Sequence, residues 1–135
     1  MTRYEILLDD HDITEHDFLQ LKGIYINGSI GIKKDLSNAE KLCIAYEEIG
    51  HKYFTVGDIT DLYKPNNVRQ ELRARAWAYG QLLPLEILGQ CNDIYDLIDS
   101  LGITEDFFRA AIADYRGKYG DTLYINGQKI NLGGV

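Results

Sequence analysis

The chain has few of the residues that cross-link a protein through disulfides or anchor it in a membrane. It contains only two cysteines, Cys43 and Cys91, and they do not stand at the spacing of a CxxC pair. We therefore expect reduced thiols that pack as small apolar side chains, with a redox or metal pair as the less favoured interpretation. No apolar run approaches the roughly 20 residues that a membrane helix needs, so we expect no membrane-spanning segment.

Positive charge is also scarce, because 14 Lys and Arg stand against 21 Asp and Glu, for a formal net charge of -7 at pH 7. Contacts with phosphate need clustered Lys and Arg, and direct nucleic-acid binding is therefore not expected. The opening residues, MTRYEILLDDHD, turn acidic after four apolar positions. We expect no export signal there, and hence a cytoplasmic protein.

What the chain does have is the composition of an ordinary globular domain. Hydrophobic residues make up 45% and charged residues 26% of its 135 residues, enough to bury a core without disulfides. We expect a single domain over residues 1–135. Its predicted segments are an N-terminal strand and hairpin region (1–36), two long helices (37–90), a C-terminal helical pair (91–120) and a C-terminal hairpin (121–135).

Two hairpins are predicted from alternating apolar residues around an Asn-Gly pair, which suits a tight type I′ turn. They are GIYINGSIGIKK, with Asn27-Gly28 at its centre, and TLYINGQKINL, where YING recurs at residues 124–127. Residues 3–8, RYEILL, are predicted to form a first strand. The acidic stretch DDHDITEHDF that follows is predicted to be a turn leading into a short helix or loop.

Apolar periodicity predicts two long helices between the hairpins. Ser37 and Glu40 stand at capping-box spacing, so the first helix is predicted to begin after Ser37. The second is predicted to run from about Asn67 to Leu83, where Pro84 ends it.

Residues 92–120 predict a helix, a turn and a second helix, with Gly102 after the first helix and Thr104 capping the second. The spacing resembles a helix-turn-helix, but acids outnumber bases there two to one, which does not suit DNA. Packing, or docking of a protein substrate, is the better interpretation. The whole chain is predicted to be α+β, with a small antiparallel sheet against three to five helices.

Glu47, Glu48 and His51 form an E-E-x-x-H pattern on the first long helix. Residues four apart lie on one helix face, so Glu47 and His51 can both reach one cation, with Glu48 beside them. In zinc peptidases the H-E-x-x-H pattern uses this geometry for two ligands and a general base. By itself the pattern is more typical of a solvated helix face than of a metal site.

A metal site needs a third ligand, and Glu71 on the second long helix can supply one. It follows His51 at a spacing that suits a zincin whose third ligand is a glutamate on the next helix. The small side chains of Ala74 and Ala78 would let the two helices approach closely. Together the two helices favour a metal-site scaffold over a solvated surface.

The stretch AEKLCIAYEEIGHKYFTVGDI, followed by ELRARAWAYGQLLP, resembles the ImmA/IrrE-type metallopeptidases. The resemblance extends from about residue 21 to residue 120, and the hairpin before the first helix belongs to it. It implies a metal-dependent endopeptidase with a zincin-like helical core, in which His51 and Glu71 are ligands and Glu48 is the general base. Glu47 stands where the usual residue of this family is His, so that it becomes a carboxylate ligand.

The resemblance also implies a metal and a partner. Zn²⁺ is the implied metal, and a carboxylate at Glu47 makes Mn²⁺ or Fe²⁺ compatible with the site. This extra carboxylate would weaken the Lewis acidity of the cation and slow hydrolysis.

Well-known members of the family are found in phages and mobile elements and cut a helix-turn-helix repressor. A catalytically weak or inactive anti-repressor that only binds such a partner is the alternative function, and a metal-free structural protein is a third.

Five charged residues have no definite role from the sequence. His11 and His16 lie among acids and would supply an imidazole to the site only if this segment folds over the helix, so a solvated loop is favoured. Two roles are open for Arg69, Arg73 and Arg75. They bind a carboxylate or an acidic partner surface, or they form ion pairs with acidic residues of the chain itself.

Overall fold

The computed structural model describes residues 2–54, 65–90 and 93–135. Over these residues the fold is α+β, as predicted, with six helices and two small sheets. The chain divides into two compact units, Met1–Ala78 and Tyr79–Val135, each of which is described by itself. None of the helices in the described ranges is long and apolar enough to cross a membrane.

The first unit begins with a helix, α1 (Arg3–Asp10), so the prediction of a strand in this segment is wrong. A capping box starts the helix, since the Glu5 N–H donates to Thr2 Oγ1 at 3.1 Å and the Thr2 N–H donates to Glu5 Oε2 at 3.3 Å. Tyr4 and Leu7, three residues apart, are its buried side chains. This spacing, together with a Thr-x-x-Glu start, is a helical signal that the strand interpretation missed.

A three-stranded sheet follows, in the order β1-β3-β2. Its strands are β1 (Ile13–His16), β2 (Gly23–Ile26) and β3 (Ser29–Lys33), with β2 antiparallel and β1 parallel to β3. The predicted hairpin is confirmed, with positive φ angles of 50° at Asn27 and 86° at Gly28. The prediction of a turn leading into a short helix or loop ahead of it is wrong, because β1 lies there and its pairing with β3 overrides its polar composition.

The two predicted long helices are α2 (Asn38–Phe54) and α3 (Pro65–Leu82). Ser37 Oγ accepts the Glu40 N–H at 3.2 Å, so the predicted start of the first helix is confirmed. The helix α2 packs on the sheet, and both elements bury apolar side chains: Leu42, Ala45 and Ile49 of α2, and Ile30 and Ile32 of β3.

Two predictions fall wholly or partly outside the described residues. The stretch FTVGDITDLYKPNN, predicted to connect the two long helices, lies in part outside the described residues, because residues 55–64 fall in the first gap, and Cys91 lies in the second gap. Cys43 is buried in α2, as expected of a small apolar side chain.

A small polar cluster ties α1, β1 and α2 together. The Tyr4 hydroxyl donates to Glu15 Oε2 at 2.7 Å, and Lys41 Nζ lies 3.0 Å from Glu15 Oε1. The hydrogen bond from Tyr4, together with the nearby charge of Lys41, holds the pKa of Glu15 below its usual value. These contacts fix the first turn of α2 against β1 and α1.

The helices α2 and α3 touch backbone to backbone. A Cβ atom on Gly50 of α2 would lie only 2.5 Å from the carbonyl oxygen of Ala74 on α3. Ala74 is fully buried, in line with the prediction that small residues of the second helix allow a close approach, and so is Ala78. The glycine on the facing helix is the part of this contact that the sequence pattern did not predict.

The second unit contains the end of α3 and three further helices, α4 (Leu85–Leu88), α5 (Ile94–Leu101) and α6 (Glu105–Tyr119). The predicted turn between α5 and α6 is confirmed. Gly102 follows α5 with a φ angle of 70°, and the Thr104 side chain caps the start of α6.

The predicted C-terminal hairpin is confirmed as β4 (Thr122–Ile125) and β5 (Gln128–Asn131). Asn126 and Gly127 at its turn have φ angles of 51° and 77°, so that both Asn-Gly pairs of the chain adopt the same conformation. The hairpin leads into a single 3₁₀ turn (Leu132–Gly134).

Gly50→Ala should lower the free energy of unfolding by about 1–3 kcal/mol, although alanine is the better helix former. The added methyl group would meet the backbone carbonyl of Ala74, which cannot rotate away as a side chain could. Gly117→Ala in α6 is the matched control, because nothing lies within 4 Å of a Cβ atom there, and this change should leave stability unchanged or raise it. Denaturant unfolding compares the two variants, and equal effects would contradict a tight contact at Gly50.

Candidate metal centre

His51 and Glu71 meet across the contact between α2 and α3. The Nε2 atom of His51 lies 3.0 Å from Oε2 of Glu71, and the two side chains are only 12% and 20% exposed. His51 follows Gly50 directly, so the close approach of the two backbones brings its imidazole within reach of α3. The structure thus brings together two of the three predicted ligands.

Glu71 is held from two sides. Its Oε1 atom accepts a hydrogen bond from Arg75 Nε at 2.8 Å, one turn further along α3, while Oε2 faces His51. The hydrogen bond with His51, and then the charges of His51 and Arg75, lower the pKa of Glu71 despite its burial. Arg75 itself is 50% exposed, so its guanidinium stands at the rim of this pair.

The pKa of His51 is raised by its acidic neighbours. Burial lowers it, but the hydrogen bond to Glu71 and the charges of Glu48, Glu71 and Glu47 outweigh that effect. The imidazole therefore keeps a proton to a higher pH than usual when no metal is bound. Metal binding through Nε2 would release that proton.

Glu47 and Glu48 are half-buried carboxyls whose charges interact with this pair. Burial raises the pKa of Glu48 to about 7; the charge of His51 opposes the rise, and the charges of Glu47 and Glu71 add to it. Burial also raises the pKa of Glu47, where the charge of Arg75 is the strongest opposing effect. A carboxyl with a pKa near 7 is poised for proton transfer at neutral pH.

The chemistry of these donors suits a divalent cation. Three carboxylates and one imidazole influence one another's pKa, and burial leaves the charges of Glu47 and Glu48 poorly compensated. Within the described ranges, no group of three or more His, Cys, Asp or Glu side chains lies close enough together to hold a metal ion. His51 and Glu71 already meet, whereas Glu47 stays a predicted ligand.

A strand also reaches the site. A Cβ atom on Gly23 of β2 would clash with the side chain of Ile44 and would lie 3.3 Å from Glu48 Cγ. A residue without a side chain is therefore needed where β2 passes this part of α2. In the described part of the chain β2 is an edge strand, and an edge strand can offer backbone N–H and C=O groups to an extended peptide.

The other charged residues considered from the sequence have separate positions. His16 lies in β1, where its Nε2 atom is 2.7 Å from Thr14 Oγ1, and His11 follows the last turn of α1. Arg69 and Arg73 are exposed on α3. The solvent-facing position of His16 agrees with the sequence-based expectation, although it lies in a strand rather than in a loop.

Sequence reasoning missed Gly23 and Gly50 and gave Arg75 no definite partner. Gly50 stands directly before a proposed ligand, and Arg75 stands four residues after Glu71, a spacing at which helical side chains meet. Both signals were present in the sequence. Gly23 has no comparable signal, because its role depends on how closely the sheet lies against α2.

Comparison with known proteins supports the resemblance noted for the two long helices. A family model of the M78 peptidases, described as an IrrE N-terminal-like domain, matches residues 4–107. This range includes all of α2 and α3, and with them Glu48, His51 and Glu71. No curated protein and no solved structure matches the chain.

Glu71→Gln should lower stability more in mild acid than in base. Because the folded-state pKa of His51 is raised, the stability from its contact with Glu71 is present below the unfolded value of about 6.5 and is lost as pH rises through the folded pKa. With a chelator present, the loss of unfolding free energy should be about 1–2 kcal/mol near pH 6 and smaller near pH 9.

The control for this pH profile is Glu105→Gln, which removes another Glu–Arg pair at the same helical spacing. Arginine side chains stay protonated in proteins, so the loss of stability for this control should be the same near pH 6 and near pH 9. A loss that is independent of pH for Glu71→Gln as well would contradict an ionised contact between His51 and Glu71.

Proposed function

The chain belongs to the M78 family of peptidases, and on that premise we propose that it is a metal-dependent endopeptidase acting on a protein substrate. The observation that carries the proposal is the meeting of His51 and Glu71 across two helices. Glu48, whose pKa is about 7, stands on the same helix as His51 and interacts with its charge.

We assign the metal to Glu47, His51 and Glu71. A divalent cation bound there would supply Lewis acidity toward a peptide carbonyl and toward water. Glu48 is the general base in this proposal, since its ionised carboxylate accepts a proton from the attacking water and later gives it to the leaving amine. Burial raises the pKa of Glu48 to about 7 in the metal-free protein, and a cation bound nearby would lower it, so that Glu48 is ionised when it accepts the proton.

We propose Zn²⁺ as the metal, with Mn²⁺ and Fe²⁺ as alternatives. Two of the three assigned ligands are carboxylates, which bind Zn²⁺ at about 2.0–2.2 Å but also suit harder divalent ions. Their combined charge reduces Lewis acidity relative to a site with two histidines. We therefore expect slow turnover even with the best metal.

For the substrate we propose a helix-turn-helix repressor, as the resemblance to ImmA/IrrE-type peptidases implies. The position of β2 supports a protein substrate, because this edge strand passes Glu48 at Gly23 and could pair with an extended segment. A repressor is a cytoplasmic protein in a bacterium, so this proposal includes a cytoplasmic location.

Incubation of the purified protein with the repressor encoded beside its gene tests the proposal, with Zn²⁺, Mn²⁺ and Fe²⁺ supplied in turn. We expect cleavage with at least one metal and a loss of about 10²–10⁴-fold in rate for Glu48→Gln. Absence of cleavage with all three metals would contradict peptidase activity, and equal cleavage by Glu48→Gln would contradict the role of Glu48 as general base.

A second candidate function is an anti-repressor that binds the same kind of partner without cutting it. The carboxylate at Glu47 favours this alternative, because it weakens the metal chemistry that cleavage needs. An anti-repressor would form a stoichiometric complex that blocks DNA binding, and Glu48→Gln would leave that complex unchanged. Size-exclusion chromatography of the mixture, followed by a test for intact repressor, distinguishes the two functions.

A further inference from the structure

We propose that one face of α3 is a docking surface for an acidic segment of a partner protein. The surface consists of Arg69, Arg73 and Trp77 on α3 together with Tyr53 on α2, and we call it the arginine–aromatic surface. The sequence left open whether these arginines bind a partner or pair with acids of the chain itself. The inference goes beyond the proposed peptidase and does not depend on a bound metal.

The two arginines of this surface have no acidic partner in the described part of the chain. Arg69 and Arg73 are exposed, and neither side chain takes part in an ion pair or a hydrogen bond with the residues that the structure describes. Three other arginines each lie within 3.3 Å of a carboxylate: Arg75, Arg109 and Arg116. Acids outnumber bases in the chain by 21 to 14, and yet these two neighbouring guanidiniums stay open to carboxylates from outside.

Helical spacing arranges the surface as a row. Residues four apart on a helix are neighbours, so Arg69, Arg73 and Trp77 follow one another over about 12 Å of α3. The indole of Trp77 is half-buried and packs edge-on against the ring of Tyr53, with centroids 5.3 Å apart. Tyr53 is 57% exposed. The row therefore leads from two positive charges to an aromatic pair that is open to solvent.

The arginine–aromatic surface is separate from the candidate metal centre. At about 100° per residue, Glu71 lies about 60° to one side of Ala74 on α3, and Trp77 lies about 60° to the other side. On α2, His51 and Tyr53 diverge in the same way, and the contact of Tyr53 with Trp77 agrees with this placement. The surface and the metal centre thus lie on opposite flanks of the contact between the two helices.

The residue types indicate the chemistry of the partner. Arg, Trp and Tyr are the side chains in which the binding energy of protein interfaces is concentrated. A guanidinium offers a planar fork of donors that matches a carboxylate. A segment with two Asp or Glu side chains beside a large apolar side chain therefore complements the row in both charge and polarity.

Nucleic acid is the competing partner, and ordinary solvated arginines are the competing bland explanation. Two guanidiniums are few for contacts along a phosphate backbone, and the net charge of -7 repels a polyanion. A short acidic segment meets only the local charge, because the more distant acids of the chain are screened at physiological salt. These features favour a protein partner.

Selection from a phage-displayed library of random short peptides tests the proposal, with the purified protein kept in chelator. We expect the selected peptides to be enriched in Asp and Glu and to contain an aromatic or large aliphatic residue. A selected peptide should lose about tenfold in affinity for Arg69→Gln and for Arg73→Gln, measured by fluorescence anisotropy. Its binding should also weaken as salt is added.

The only tryptophan of the chain provides a direct readout at the surface. Because Trp77 is that residue, a selected peptide that lacks Trp should change the intrinsic fluorescence of the protein on binding. Arg109→Gln is the matched control, since it removes one exposed positive charge from another helix. It should keep the affinity for the peptide within about twofold. Arg69→Gln and Arg73→Gln should unfold at the same denaturant concentration as the unmodified protein.

Three results would overturn the proposal. They are a library without enrichment of acids, selected peptides that bind both arginine variants at full affinity, and binding that leaves the fluorescence of Trp77 unchanged. A DNA duplex of random sequence that displaces the peptide and depends on the same arginines would overturn the assignment to a protein partner.

The peptide experiment and the cleavage experiment fail independently, because peptide binding is measured without metal. Acidic peptides that bind as expected, together with no cleavage of a repressor by any metal, would support the surface and reject the peptidase. Cleavage of a repressor together with a library without acidic peptides would leave the proposed function intact and reject the surface.

Discussion

The backbone contact between Gly50 and Ala74 is the constraint on which the rest of the site depends. Two helices meet there without intervening side chains, and the residues beside the contact, His51 on one helix and Glu71 on the other, are thereby brought within 3.0 Å. Protein interiors are close-packed, so an added methyl group at this point would displace a helix rather than fill a void. The chemistry of the site is thus set by packing before any metal is considered.

The second determinant is the burial of negative charge in a chain that is already acidic. Carboxylates removed from water are costly unless they gain partners, and at this site the partners are an imidazole, a guanidinium and, in our proposal, a cation. The same burial that makes Glu47 and Glu48 unfavourable in the metal-free protein raises the pKa of Glu48 into the range of a general base. Metal affinity, stability and proton transfer are therefore linked through one group of side chains.

Local signals account for the parts of the fold that the sequence predicted. Asn-Gly pairs require positive φ angles and defined both hairpins, while Ser37 and Thr104 marked the starts of two helices. The first helix was missed although its Thr-x-x-Glu start is such a local signal, whereas the first strand was missed for a different reason. The strand β1 exists because β3 pairs with it, and a pairing between distant segments is not visible in a stretch of acidic residues.

For the site, the sequence could supply residue types and helical spacing, which was enough to propose Glu48, His51 and Glu71. It could not supply the distance between α2 and α3, which depends on Gly50, or the depth of burial that shifts the pKa of Glu48. Spacing placed Arg75 within reach of Glu71, but it could not show that the guanidinium bonds to that carboxylate while staying half exposed. These properties arise from packing between helices and are known only once the fold is known.

Anomalous diffraction from crystals soaked in Zn²⁺ or Mn²⁺ tests the central claim most directly, because it locates a bound metal without reference to activity. Our account predicts one strong peak within about 2.0–2.2 Å of ligand atoms from Glu47, His51 and Glu71 in the zinc crystals. It also predicts that Arg75 stays hydrogen-bonded to the second oxygen of Glu71. A metal bound elsewhere, or no peak at this position at saturating metal, would contradict it.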